Sequence, residues 1–287
     1  MLDREEYVEQ AYFFRTLGER AEQKLATQDL LKSVREEILA TTKLPLAIDF
    51  LASELNLTGV FGPAMARLPH YFTPFQTFVV QAAENERGKF DFAVALSILE
   101  REALYRAEGS TRQGMFLYQF ECLCRNRLGY DRGLDAIAAD PMYDELWREW
   151  IRTVRQQIGL IDFADLVYVR SEHYLETQAR LGRSSPNDKP ALFGVKEGRI
   201  ALANRLKDPL LLFAALERHL HYPTVPRPKK VDESRQILPT LLRRVERLET
   251  RLKLLEEEQK GGIDLTKFYG RTAHLPDDDE PPVSDAP

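Results

Sequence analysis

Three observations predict a mainly α chain: a multi-helix globular bundle with a small α+β hairpin unit, a C-terminal coiled coil and a disordered acidic tail. Over residues 1–160 apolar residues recur at helical spacing, with capping residues ahead of each run and glycines behind. Over 161–222 β-branched and aromatic runs flank a short turn. A proline-rich linker is expected at 223–235, leucines repeat at coiled-coil spacing over 236–260, and 261–287 ends rich in Asp and Pro.

In the first part, helices are expected at 3–24, 28–41, 45–57, 74–87, 91–107, 111–128, 131–139 and 141–158. Gly59, Gly88, Gly109, Gly129 and Gly159 each follow an apolar-periodic segment, where a helix C-terminus favours a residue tolerant of positive φ. Thr73 and Pro74 combine a cap with proline at the first helical position, and Gln76 stands where a capping box needs it. Ser110–Gln113 repeats the Ser-x-x-Gln pattern, and Asp140 precedes Pro141 as another capped start. The apolar stripes are broad and aromatic: Phe75, Phe78, Val79 and Ala82; Phe92, Ala95, Leu96 and Leu99; Phe116, Phe120, Leu123 and Cys124; Trp147, Trp150, Ile151 and Val154. Stripes this wide need several neighbours each, which predicts a compact bundle.

After Gly159 the pattern changes. Residues 165–170, 191–195 and 199–202 read as strands, the last two paired around Lys196–Arg199 with Gly198 in the turn. A helix is expected at Tyr174–Leu181, a polar loop at 183–189, and a capped helix from Asp208. A lone hairpin is marginal in water, so this unit is expected to pack on the helical body.

The coil carries the most specific signal. Leu238, Leu241, Val245, Leu248, Leu252 and Leu255 are spaced alternately three and four residues apart, an a/d seam that a helix buries against another helix. Arg244 and Arg251 fall at g; Glu249 and Glu256 fall at e. In a parallel assembly each g faces the e five residues later on its neighbour, so the seam is complementary to itself and the expected partner is a second copy of the chain. Arg244–Glu249 and Arg251–Glu256 both match Arg-h-x-x-h-Glu, where h is an apolar residue. This resembles the trimer-favouring signature of short parallel coiled coils, which ranks a homotrimer ahead of a dimer. Beyond the coil, Ile263, Leu265, Phe268 and Tyr269 stand out in an otherwise solvating tail, as a candidate docking motif for a protein partner.

Composition narrows the function classes. Hydrophobic residues at 44% and charged residues at 30% fit a soluble chain, and no window approaches the roughly 18 apolar residues of a membrane span. Met1–Glu6 lacks the basic-then-apolar layout of a leader, and Cys122 and Cys124 read as reduced core thiols, so the cytoplasm is the expected compartment. Of the 45 acids, five lie in the last twelve residues, leaving 40 acids against 40 bases in the rest; that balance argues against a nucleic-acid partner.

Chemistry is sparse. Glu217 and His221 share a helical spacing, but no second such pair accompanies them, so neither metal nor cofactor is expected. The richest polar cluster is Arg101, Arg106, Arg112, Arg125, Arg127 and Arg132, with Tyr105, Tyr118 and Tyr130 interleaved. Planar guanidinium forks suit carboxylate or phosphate, making these six the candidate anion-binding set. The expected function is a non-enzymatic oligomeric scaffold or adaptor; the alternative is an enzyme or anion-binding sensor built on the Arg/Tyr cluster.

Overall fold

Side-chain capping sets most helix starts in the computed structural model, which describes residues 2–21, 27–85, 90–183, 189–227, 245, 247–249 and 251–252. Through residue 227 these form α1 (Arg4–Ala21), α2 (Thr27–Glu37), α3 (Leu44–Thr58), α4 (Gly62–Ala66), α5 (Pro74–Glu84), α6 (Phe92–Ala107), α7 (Arg112–Arg125), α8 (Tyr130–Ala138), α9 (Glu145–Gln157), α10 (Phe163–Val169), α11 (Glu172–Arg180), α12 (Val195–Ala203) and α13 (Pro209–Leu220). Thr73 and Gln76 form a full capping box on α5. Asp91, Thr111, Asp144, Asp162, Ser171 and Asp208 each accept from a first-turn amide of the helix they precede. One such cap contributes about 1 kcal/mol.

The α+β unit is not observed. Residues 165–170 and 199–202 belong mainly to α10 and α12, 191–195 lead into α12, and the described residues contain only isolated bridges, Ser171 with Phe193 and Ile158 with Ile161. Short apolar runs do not distinguish a strand from a buried helix by periodicity. The supposed turn at Lys196–Arg199 is helical, and Gly198 serves a close crossing instead: a Cβ there would stand 2.3 Å from Ser171 Oγ.

Three smaller expectations also change. Gly129 opens α8 rather than closing α7, and the left-handed residue at that junction is Arg127, with φ 54°. The cap of α7 is Thr111, one residue after Ser110. Asp140 does not start a helix; it is buried in an ion pair, and α9 begins after Asp144. The short helix α4, unanticipated, starts on amides held by Glu84, whose carboxylate accepts from Phe61 N and, at 2.8 Å, from Gly62 N.

The chain divides into two units, Met1–Pro228 and Lys229–Pro287. Within the first, α1 lies along α6, placing Phe13, Phe14 and Leu17 in the core with Leu96 and Leu99. A second aromatic concentration joins the later helices. The Phe116 ring sits 4.8 Å from Trp150 and 5.7 Å from Phe120, and Phe120 lies 4.6 Å from Phe163 and 6.0 Å from Phe213. These rings come from α7, α9, α10 and α13. Burying each contributes about 1.5–3 kcal/mol, so the later helices are part of the body's core.

The beginning of the expected linker is also held to the body. Tyr222 and Val225 are buried, Tyr222 Oη donates to Glu121 Oε2 at 2.8 Å, and Asn126 Nδ2 donates to the Pro226 carbonyl at 3.2 Å. A chain truncated after Pro228 is therefore expected to stay helical by circular dichroism and to unfold in one cooperative thermal transition. Aggregation, or loss of cooperativity, would show that the core needs residues beyond 228.

Candidate functional site

Three places in the described residues concentrate polar chemistry, and they differ in what that chemistry can do. The first is a buried charge cluster. Arg106 on α6 directs Nη2 at Glu102 Oε1, 2.8 Å away on its own helix, and at Asp140 Oδ2, 2.5 Å away in the turn after α8. All three side chains are almost wholly removed from solvent. Gln119 of α7 donates to Glu102 Oε1 at 2.9 Å, and the Tyr143 hydroxyl donates to Gln119 at 3.1 Å. Burial would depress Arg106, but the two carboxylates outweigh it and hold the guanidinium well above its ordinary range. A small cavity of about 40 Å³ adjoins Arg106 and Asp140, bordered by Tyr7, His70 and Tyr71.

The six candidate arginines are not brought to one place. Arg106 is committed to the buried cluster. Arg101 donates to the Thr224 carbonyl, and Arg112 reaches the Met142 carbonyl at 3.1 Å and Asp144 at 2.6 Å. Arg125 pairs with Glu121 one turn earlier on α7. Of the tyrosines, Tyr118 donates to the Ile98 carbonyl at 2.8 Å and Tyr105 to that of Leu220 at 3.4 Å. These interactions join neighbouring elements. Arg127 and Arg132 differ: both are exposed, both border one groove, and neither makes a side-chain hydrogen bond or ion pair among the described residues.

That groove is the second place. It has two lobes sharing Phe78, Gln81 and Arg132. The larger, about 270 Å³, is walled by Met65, Phe72 and Ala136; the smaller, about 200 Å³, by Phe90, Leu128 and Arg127. Sequence reasoning found its arginines but not its apolar wall, because α4 was missed and Met65 was never assigned to a face. The Gly62-Pro63 pair before Ala64–Ala66 was the available signal.

The third is the exposed helical fragment of the second unit. Val245, Leu248 and Leu252 are helical and solvent-exposed, and so are Glu249 and Arg251. Leu238, Leu241, Arg244, Leu255 and Glu256 of the seam, and the docking motif Ile263, Leu265, Phe268 and Tyr269, lie outside the described residues, as does Gly88.

His219 contacts Glu197 at 3.2 Å, and Glu217 accepts from Thr224 at 2.6 Å rather than facing His221, which closes α13 in a left-handed conformation. No group of three His, Cys, Asp or Glu side chains among the described residues is arranged to hold a metal ion. Cys122 and Cys124 are unbridged. Burial raises both thiols, Cys124 to about 11 despite a hydrogen bond with Tyr130, and burial beside that thiol raises the Tyr130 phenol to about 12.

Against family models, curated proteins and solved structures, the chain finds no match. Its function is therefore argued from its own residues.

Replacing Arg106 with Met should leave Glu102 and Asp140 buried without their counter-ion, at a cost of about 3–5 kcal/mol in urea unfolding. Adding Glu102→Met and Asp140→Asn should recover much of that loss; a single Arg106→Met variant as stable as wild type would show that the cluster is incidental.

Alkaline stability follows from the raised thiol and phenol. In the unfolded chain these groups lose their protons near 9 and 10, whereas the fold keeps them to about 11 and about 12. The unfolded state thus sheds protons first, so unfolding free energy should fall as pH rises from about 9 towards 12. Cys124→Ala should flatten the lower part of that fall, measured by urea titration at stepped pH; an identical slope in the variant would contradict the assignment.

Proposed function

We propose that this protein is a non-enzymatic homo-oligomeric scaffold or adaptor, assembled through a parallel coiled coil and presenting its helical heads and acidic ends together. The observation that carries this reading is the state of the seam in a single chain: Val245, Leu248 and Leu252 are helical and 49%, 58% and 57% exposed. A helical stripe of large aliphatic side chains about half exposed to water has an unmet burial of about 1 kcal/mol per residue, which a second copy of the same helix would satisfy. The charges flanking the stripe favour that partner: Arg244 and Arg251 at g lie opposite Glu249 and Glu256 at e of a parallel neighbour. The two Arg-h-x-x-h-Glu matches favour three strands, with the arginine stem laid along the seam and its fork on the glutamate.

In such an assembly weak single-head contacts combine through raised effective concentration, without new contact chemistry. The commitment of Arg101, Arg106, Arg112 and Arg125 to intramolecular partners supports this reading over an anion-processing centre built on all six arginines.

Multi-angle light scattering on the full chain tests it, with a mass three times that of the 33.1 kDa monomer expected. Arg244→Glu with Arg251→Glu should give monomers, since like charges then face each other along both flanks. Adding Glu249→Arg and Glu256→Arg should restore assembly. A wild-type chain that stays monomeric at high concentration would sink the reading.

A further inference from the structure

The groove between α5 and α8 has apolar walls and two cationic side chains, Arg132 where its lobes meet and Arg127 on the smaller lobe. Phe78 and Gln81 of α5 run through both lobes, Met65 and Phe72 wall the larger, and Arg127 and Arg132 border the smaller. Glu84 of α5 is occupied by the Phe61 and Gly62 amides. Asp135 of α8 pairs with Arg155 of α9. Among the described residues neither guanidinium has an ion-pair partner, whereas Arg101, Arg106, Arg112 and Arg125 all have acceptors.

Lobe size selects the class of occupant. Each lobe, at about 270 and about 200 Å³, falls below the roughly 300 Å³ at which engulfing ligand sites begin. Two shallow lobes in line suit successive side chains of a polypeptide. The charge selects its composition: a guanidinium pair beside apolar walls complements carboxylates beside large apolar anchors. A nucleic acid matches less well, since phosphate recognition draws on an extended basic track and this groove offers two cations beside an apolar wall.

We propose that this groove is a docking site for a peptide segment of a partner protein in which one or two large apolar anchors adjoin an acidic pair. The anchor fills the lobe walled by Met65 and Phe72, and the carboxylates meet Arg127 and Arg132. The inference concerns a single head and does not depend on assembly.

The test is fluorescence anisotropy of the full-length chain with two fluorescein-labelled dodecapeptides. Each carries Leu and Phe anchors and an Asp-Glu pair, with the acids after the anchors in one and before them in the other. At least one should bind saturably, one peptide per chain. The Arg127→Asn, Arg132→Gln double variant should bind roughly tenfold more weakly; Asn suits the left-handed backbone at 127, and both positions are exposed, so the fold is spared. Ala66→Trp, made from an exposed position on the rim of the larger lobe, should weaken binding with both arginines intact. Peptides with the acids replaced by amides, or the anchors by Ser, should lose binding. Thermal melts and light scattering of each variant, matched to wild type, separate loss of the groove from loss of fold or assembly. Absence of saturable binding by either peptide overturns the proposal. So does binding unmoved by the double variant or by Ala66→Trp, or equal binding by the peptide lacking anchors, which would mark plain charge attraction.

Discussion

The ion cluster of Glu102, Arg106 and Asp140 is the constraint on which the middle of the body depends. One guanidinium nitrogen serves two carboxylates, from the same helix and from the turn after α8, with all three groups out of water. Desolvating three charges is costly, and the cost is offset only when the partners stand at hydrogen-bonding distance. A slip of α6 against the turn at Asp140 would leave a buried carboxylate uncompensated, so the cluster discriminates against shifted packings that hydrophobic contact alone would tolerate. Gln119 and Tyr143 extend the same network, so α6, α7 and the entry to α9 are positioned together.

A second polar chain does similar work beside it, in the first half of α1. Glu6 accepts from Lys43 N at 2.8 Å and from the Tyr71 hydroxyl at 2.9 Å, and Gln10 links the Tyr71 carbonyl to Gln76 at 3.1 and 3.2 Å. These bonds set α1 against the start of α3 and the turn into α5, the helix that carries Phe78 and Gln81 of the groove. The groove's wall is thus placed by a network that does not itself border either lobe.

The proposed division of labour rests on this contrast. In the body, apolar stripes are matched by neighbouring stripes, and most arginines near the centre have acceptors. In the described fragment of the second unit, apolar side chains at a and d remain exposed and charges of both signs flank them. Self-association suits that fragment, and recognition suits the groove, where apolar walls meet two guanidiniums that have no ion-pair partner among the described residues.

The sequence by itself determined most helices of the first 160 residues, though not α4 or the start of α9, because caps such as Thr73 and left-handed glycines such as Gly59 and Gly109 act over one turn and can be read locally. It also carried the a/d spacing and its flanking charges, which are properties of a single helix. What it did not carry were outcomes decided by distant partners. The runs at 165–170 and 199–202 became helices because α10 and α12 pack into the aromatic core and Gly198 lets Ser171 approach, none of which periodicity encodes. The six arginines looked like one cluster along the chain, yet acceptors far away in sequence took three of them, Asp140 for Arg106, Thr224 for Arg101 and Asp144 for Arg112, while Arg125 paired with Glu121 on its own helix. Only the tertiary structure could bring Arg127 and Arg132 together at one groove with Phe78 and Phe90, because which side chains share a wall depends on how α5 and α8 pack.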